Sequence, residues 1–123
     1  MLQKNVIELT LGGKPRKCYF GIGFLGLYME KTGVELEQLQ DVITKNPFKY
    51  VPDLVYFSIA YGYVRQDLKP EFNRYAVADW IDEVGGIGGE TIVEFLNAFT
   101  ASLTKGVPQE KADPKARNSK KKV

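Results

Sequence analysis

Residues 54–64, Leu-Val-Tyr-Phe-Ser-Ile-Ala-Tyr-Gly-Tyr-Val, have helical spacing and no polar face. Leu54, Phe57, Tyr61 and Val64 form one apolar stripe, and Tyr56, Ala60 and Tyr63 form a second. A helix that is apolar all round is buried on every side or shared with a partner. This one is too short to cross a bilayer, which takes about 20 apolar residues. Burying one large side chain is worth roughly 1.5–3 kcal/mol. Leaving three uncovered would forgo about 5–9 kcal/mol, comparable to the whole stability of a small domain. The second stripe therefore needs a cover, supplied either by neighbouring helices of this chain or by another protein meeting the Tyr56/Tyr63 side.

The rest of the composition narrows the choices. A length of 123 residues, 44% of them hydrophobic, allows one domain with a single modest core. There is no histidine, which removes the commonest general base and metal ligand. The lone Cys18 rules out an intrachain disulfide and a cysteine-based zinc site, and it points to a reducing, cytoplasmic setting. No secretory signal or membrane span is expected. Up to Thr104 the chain has ten basic and thirteen acidic residues, and from Lys105 onward seven basic and two acidic. The expectation is a mildly acidic globular domain over 1–104 and a disordered basic tail over 105–123.

The patterning along the chain predicts an α+β fold, an N-terminal β-hairpin followed by a bundle of about five α-helices. Val6 to Leu11 alternates as a strand, Gly12-Gly13-Lys14 supplies a turn, and Arg16 to Phe20 returns, with Pro15 suited to an edge. Helical spacing begins at Phe24, places Leu25, Tyr28 and Met29 together, and stops at Gly33. A second helix covers Leu36 to Ile43 with Leu36, Leu39 and Ile43 inward, and Asn46-Pro47 closes it. Pro52-Asp53 suits the first turn of the apolar helix. After a polar loop over Asp67 to Glu71, Asn73 caps a fourth helix with Val77, Trp80 or Ile81, and Val84 inward. Gly85 to Gly89 reads as a flexible break. Thr91-Ile92-Val93-Glu94 matches a capping box, ahead of a stripe of Ile92, Leu96, Phe99 and Leu103.

Few motifs carry chemistry. Gly21-Ile22-Gly23-Phe24-Leu25-Gly26 satisfies GxGxxG, with Asp41 about 20 residues on. The preceding strand belongs to a hairpin and no βαβ unit follows, so a tight junction explains these glycines better than a dinucleotide does. Asp79, Asp82 and Glu83 read as a solvated helix face, and Cys18 as a half-buried small hydrophobe. Lys111, Lys115, Arg117 and Lys120-Lys121-Lys122 offer phosphate contacts, but they lack interleaved aromatics, so nucleic acid is a disfavoured partner. No catalytic, cofactor or metal constellation emerges, and the chain reads as a non-enzyme.

The order of the pieces resembles a known family. The hairpin around Gly12-Gly13-Lys14 is followed by Tyr19-Phe20-Gly21-Ile22-Gly23, Leu25 and Tyr28-Met29-Glu30-Lys31-Thr32-Gly33, with Leu36 and Leu39 beyond. The Tyr/Gly-containing apolar helix, an acidic loop and Phe72 to Asp82 with its Trp-Ile-Asp ending complete the pattern. Over residues 5–104 this is similar to the tail assembly chaperones of long-tailed bacteriophages and prophages. The resemblance implies a protein that coats and solubilises the tape measure protein, helps recruit tail tube subunits, and is absent from the finished virion. It also implies action in the bacterial cytoplasm without a membrane or cofactor. The lysine run at 120–122 is compatible with the frameshift site at which that family makes a longer product. The expected partner-binding residues are Tyr56, Ala60, Tyr63, Phe72 and Tyr75, with self-association through the same side also compatible. A structural or adaptor subunit retained in the virion, or a small nucleic-acid-binding protein acting through the tail, are the competing readings.

Overall fold

The computed structural model describes residues 5–106, with side chains up to Leu103. Two antiparallel strands, β1 (Val6–Leu11) and β2 (Lys14–Tyr19), lead into α1 (Ile22–Thr32), α2 (Leu36–Lys45), α3 (Pro47–Val64), α4 (Arg74–Glu83) and α5 (Glu90–Gly106). The predicted α+β architecture of a hairpin followed by five helices is thus present among the described residues. The 105–123 tail and its lysines lie almost entirely outside the described residues; α5 runs as far as Gly106.

The hairpin closes through Gly12 and Gly13, whose φ angles of 64° and 78° fit a tight two-residue turn that L side chains resist. Leu11 pairs with Lys14, Leu9 with Arg16 and Ile7 with Cys18, so these residues share one face of the sheet. That face carries the buried Leu9, Leu11 and Cys18, whereas Glu8, Thr10 and Lys17 on the other face are exposed. Cys18 is fully buried, deeper than the half-buried position its sequence suggested, because α3 packs directly on β2.

α3 is the central element and touches β2, α1, α2 and α4. It begins at Pro47, five residues before the expected start. Pro47 stands in the first helical turn, where no amide is needed, and the amides of Lys49 and Tyr50 both donate to the Asn46 carbonyl. Pro52 is consequently inside the helix and buried, removing the bond it would have made to the Phe48 carbonyl. The polar Ser58 is fully buried and satisfied by donating to the Val55 carbonyl at 2.8 Å. A Cβ on Gly62 would run into the Tyr19 ring, so glycine is what lets the helix come this close to β2. Of the first predicted stripe, Leu54 is buried, Phe57 and Tyr61 are half-buried, and Val64 stands 47% exposed at the helix end.

Other sequence expectations shift by a residue or a turn. Val77 and Ile81 are the buried positions of α4, with Trp80 half-buried, and Asn73 Oδ1 accepts the Ala76 amide as a cap at 3.0 Å. α5 starts at Glu90, which puts Thr91 inside its first turn instead of at a cap. Its inward face is Ile92, Phe95 and Phe99, so Phe95 takes the place expected for Leu96. Leu36, expected inward, lies at the exposed start of α2, where the Gln38 side chain accepts the Glu35 amide at 3.0 Å. The glycine run is built of hydrogen-bonded turns, with the Gly86 amide donating to Ile81 and the Gly89 amide to Gly86. Phe20, Phe24, Phe95 and Phe99 interlock with ring centroids 5.4–6.0 Å apart and join the hairpin to α1 and α5.

Burial pushes the Cys18 thiol up to about 12, a shift partly offset by the Ser58 side chain beside it. Burial likewise raises the Tyr28 hydroxyl, helped by the charge of Asp53. Both groups stay protonated in the fold at pH values where the unfolded chain releases the proton. The Cys18 stabilisation is complete below pH 9.0, the ordinary thiol value, and is lost as pH rises toward 12, while the Tyr28 loss sets in above its ordinary value of 10.0. Denaturant midpoints are expected to fall above pH 9, with Cys18→Ala flattening the first part of that fall. A thiol reagent at pH 8 is expected to label Cys18 only at the rate of global opening.

Candidate protein-binding surface

α3 ends in a reversal that positions the surface. Asp67 adopts a left-handed conformation with φ 64°, which aspartate tolerates better than most residues. The Leu68 amide returns to the Tyr63 carbonyl at 2.9 Å, and Gln66 Nε2 donates to the Gly62 carbonyl at 2.7 Å. The irregular chain that follows delivers Phe72 onto α3. Its ring meets Tyr56 and Tyr63 nearly edge-on, at 5.7 and 5.6 Å between centroids, and lies 5.4 Å from Trp80 of α4. The Arg16 guanidinium of β2 sits 4.0 Å over Trp80 and 5.6 Å from the Phe72 ring, while its Nε donates to the Leu11 carbonyl. Arg74 holds the start of α4 to α3 by pairing with Asp53 and donating to the Lys49 carbonyl at 3.4 Å.

The Tyr56 and Tyr63 rings of the second apolar stripe are therefore met from within the chain by Phe72, on a connection without regular structure. Tyr56, Tyr63 and Phe72 come together as a half-buried seam. Ala60 is 2% exposed, so no partner reaches it in this conformation; the reason is that the neighbouring elements close over α3 at that turn. Tyr75 stands apart from the seam, 70% exposed, with the Arg74 guanidinium 5.5 Å over its ring.

Next to the seam lies a cleft of about 290 Å³ that sequence reasoning missed. One bank is the hairpin segment Lys14 to Lys17 together with Tyr19, and the other is Gln66, Leu68 and Glu71, with Ile59, Gly62 and Tyr63 of α3 between them. Leu68 is 55% exposed, an apolar side chain between Asp67 and Lys69. That isolated leucine in a polar loop was the available signal.

The other motifs resolve structurally. Gly21 starts α1, the Leu25 amide donates to its carbonyl, and Gly23 is where the Tyr61 hydroxyl approaches α1 too closely for a side chain. Asp79, Asp82 and Glu83 are exposed on α4. Among the described residues no cluster of three acidic, cysteine or histidine side chains is placed to hold a metal, and no helix is long and apolar enough to cross a membrane. No family model, curated protein or solved structure matches the chain.

Ala60→Asp puts an unpaired charge into the helix interface and is expected to cost on the order of 3–5 kcal/mol. Tyr75→Ser should stay within about 0.5 kcal/mol of the parent. Chemical denaturation monitored by circular dichroism checks both.

Proposed function

We propose that this protein is a tail assembly chaperone of a long-tailed bacteriophage or prophage, a non-enzymatic protein that binds and solubilises the tape measure protein in the bacterial cytoplasm and helps recruit tail tube subunits. The observation that carries the reading is the Phe72 seam. Tyr56 and Tyr63 form an apolar helical surface, and the Phe72 ring that lies on it comes from an irregular connection. A client helix with apolar residues at helical spacing offers the same kind of contact, and helix-in-groove packing is the mode that fits it. Displacing Phe72 costs three ring contacts at about 0.5–1.5 kcal/mol each, together with roughly 1.5–3 kcal/mol of its own burial. A client stripe recovers a loss of that size by burying two or three large side chains.

The surroundings suit this exchange. Leu68 and Val64 at the end of α3, and Tyr75 on α4, are exposed apolar or aromatic side chains bordering the connection that carries Phe72. Binding one state of a client stabilises that state by mass action, which is what a holding chaperone requires. The order of sequence elements shared with tail assembly chaperones supports the choice of client.

The test is to mix the full chain with a helical tape measure protein of a long-tailed phage, taken from the genome that encodes this chain, and follow client aggregation by light scattering. Suppression at near-stoichiometric ratios is expected, and Leu68→Asp together with Tyr75→Asp should weaken it about tenfold without lowering the melting temperature. Unchanged client aggregation would remove the chaperone reading. Recovery of this chain in purified particles would favour a structural subunit instead.

A further inference from the structure

The antiparallel ladder fixes which backbone groups of β2 are used. The Phe20 amide donates to the Asn5 carbonyl at 2.8 Å, so Asn5 and Phe20 are a hydrogen-bonded pair. Alternation from there makes Ile7–Cys18, Leu9–Arg16 and Leu11–Lys14 hydrogen-bonded pairs too. Val6–Tyr19, Glu8–Lys17 and Thr10–Pro15 are the other kind, and their main-chain groups point away from the ladder. The amides of Lys17 and Tyr19 and the carbonyls of Pro15, Lys17 and Tyr19 consequently form the outer edge of β2. None of them takes part in a loop or side-chain hydrogen bond among the described residues. This edge forms one bank of the cleft described above.

We infer that the β2 edge binds a short, extended, acidic segment of a partner protein by strand addition. Strand addition uses the main-chain groups of Lys17 and Tyr19 for affinity and neighbouring pockets for alternate side chains. Ile59, Tyr63 and Leu68 offer the apolar pocket. The cleft sits at the small end of the range for ligand sites, roughly 300–1,000 Å³, which limits the inserted segment to a few residues. Pro15 sets one limit of the register, because it has no amide to contribute.

Charge selects the occupant. Lys14 and Lys17 are exposed and Arg16 half-buried on the strand bank, against Glu71 opposite, within a body that is otherwise net acidic. Lysine and proline on an edge strand block indiscriminate pairing. An acidic strand is the one class that the lysines attract instead of repel. The chain's own segment beyond Gly106 is rich in lysine and is a poor fit for the same reason.

The proposal is independent of the tape measure assignment, and its assay contains no phage protein. The full chain is titrated with a fluorescein-labelled hexapeptide of alternating glutamate and valine, and with its lysine–valine counterpart. Hydrogen exchange of the Lys17 and Tyr19 amides is read in parallel. The acidic peptide is expected to bind at least tenfold more tightly, to slow exchange at both amides at least tenfold, and to lose about tenfold in affinity with Lys17→Glu. Equal binding of the two peptides, or binding that leaves those two amides unprotected, would overturn it. Protection already present without peptide would also overturn it, with a concentration-dependent signal indicating a second copy and a concentration-independent one the chain's own tail.

Discussion

The burial of α3 is the constraint on which the other elements depend. Residues 54–64 of α3 carry apolar side chains around the whole circumference, so each neighbour in this fold is a cover for part of that run. β2 takes the side with Ser58 and Gly62, α1 takes Phe57 and Tyr61, and α2 and α4 take the flanks. The two breaks in the apolar run, Ser58 and Gly62, are accommodated locally. Ser58 is satisfied by its own helix, and Gly62 leaves out a side chain so that Tyr19 can approach. A small chain achieves this only by wrapping, with Phe72 meeting Tyr56 and Tyr63, while Phe48 and Val64 near the two ends of α3 stay exposed.

That unevenness connects architecture to function. β2 and α1 cover α3 through regular, hydrogen-bonded elements, whereas Phe72, which meets Tyr56 and Tyr63, comes from a connection without regular structure. Local stability in proteins follows such differences, and ligand-binding segments come from the less stable end. The Arg16 guanidinium over Trp80 and Phe72 joins the seam to the cleft at the β2 edge, so the two surfaces share a boundary residue. One offers a helical client an apolar stripe, and the other offers an extended partner unpaired main-chain groups.

The architecture was readable because it rests on strong local signals. Alternation and a Gly-Gly turn define the hairpin, Gly33 and Asn46-Pro47 punctuate the helices, and Asn73 caps as its side chain predicts. What differs depends on tertiary context. Pro52 suits a first helical turn, where its missing amide costs nothing, yet the chain carries it inside α3, at the loss of the bond to the Phe48 carbonyl. Phe95 outranked Leu96 because the Phe20–Phe24–Phe99 cluster needed another ring, a three-dimensional requirement with no local signature. The apolar second stripe was legible, and so was its need for a cover. That Phe72 would be the cover, and Ala60 lie wholly beneath, depended on how the chain reverses after α3. The cleft, apart from the isolated Leu68, has no local signature for the same reason, since its banks are some 50 residues apart in sequence.

The most direct test of this account is native-state hydrogen exchange of the full chain across low denaturant. If Phe72 is a separable cover, the protected amides at the α3 reversal and the α4 cap, those of Leu68 and Ala76, should exchange through an opening far smaller in free energy and denaturant dependence than the one that releases the α3 amides. If they exchange together with α3 in a single global opening, the seam is ordinary core and the stripe beneath it is not available to a client.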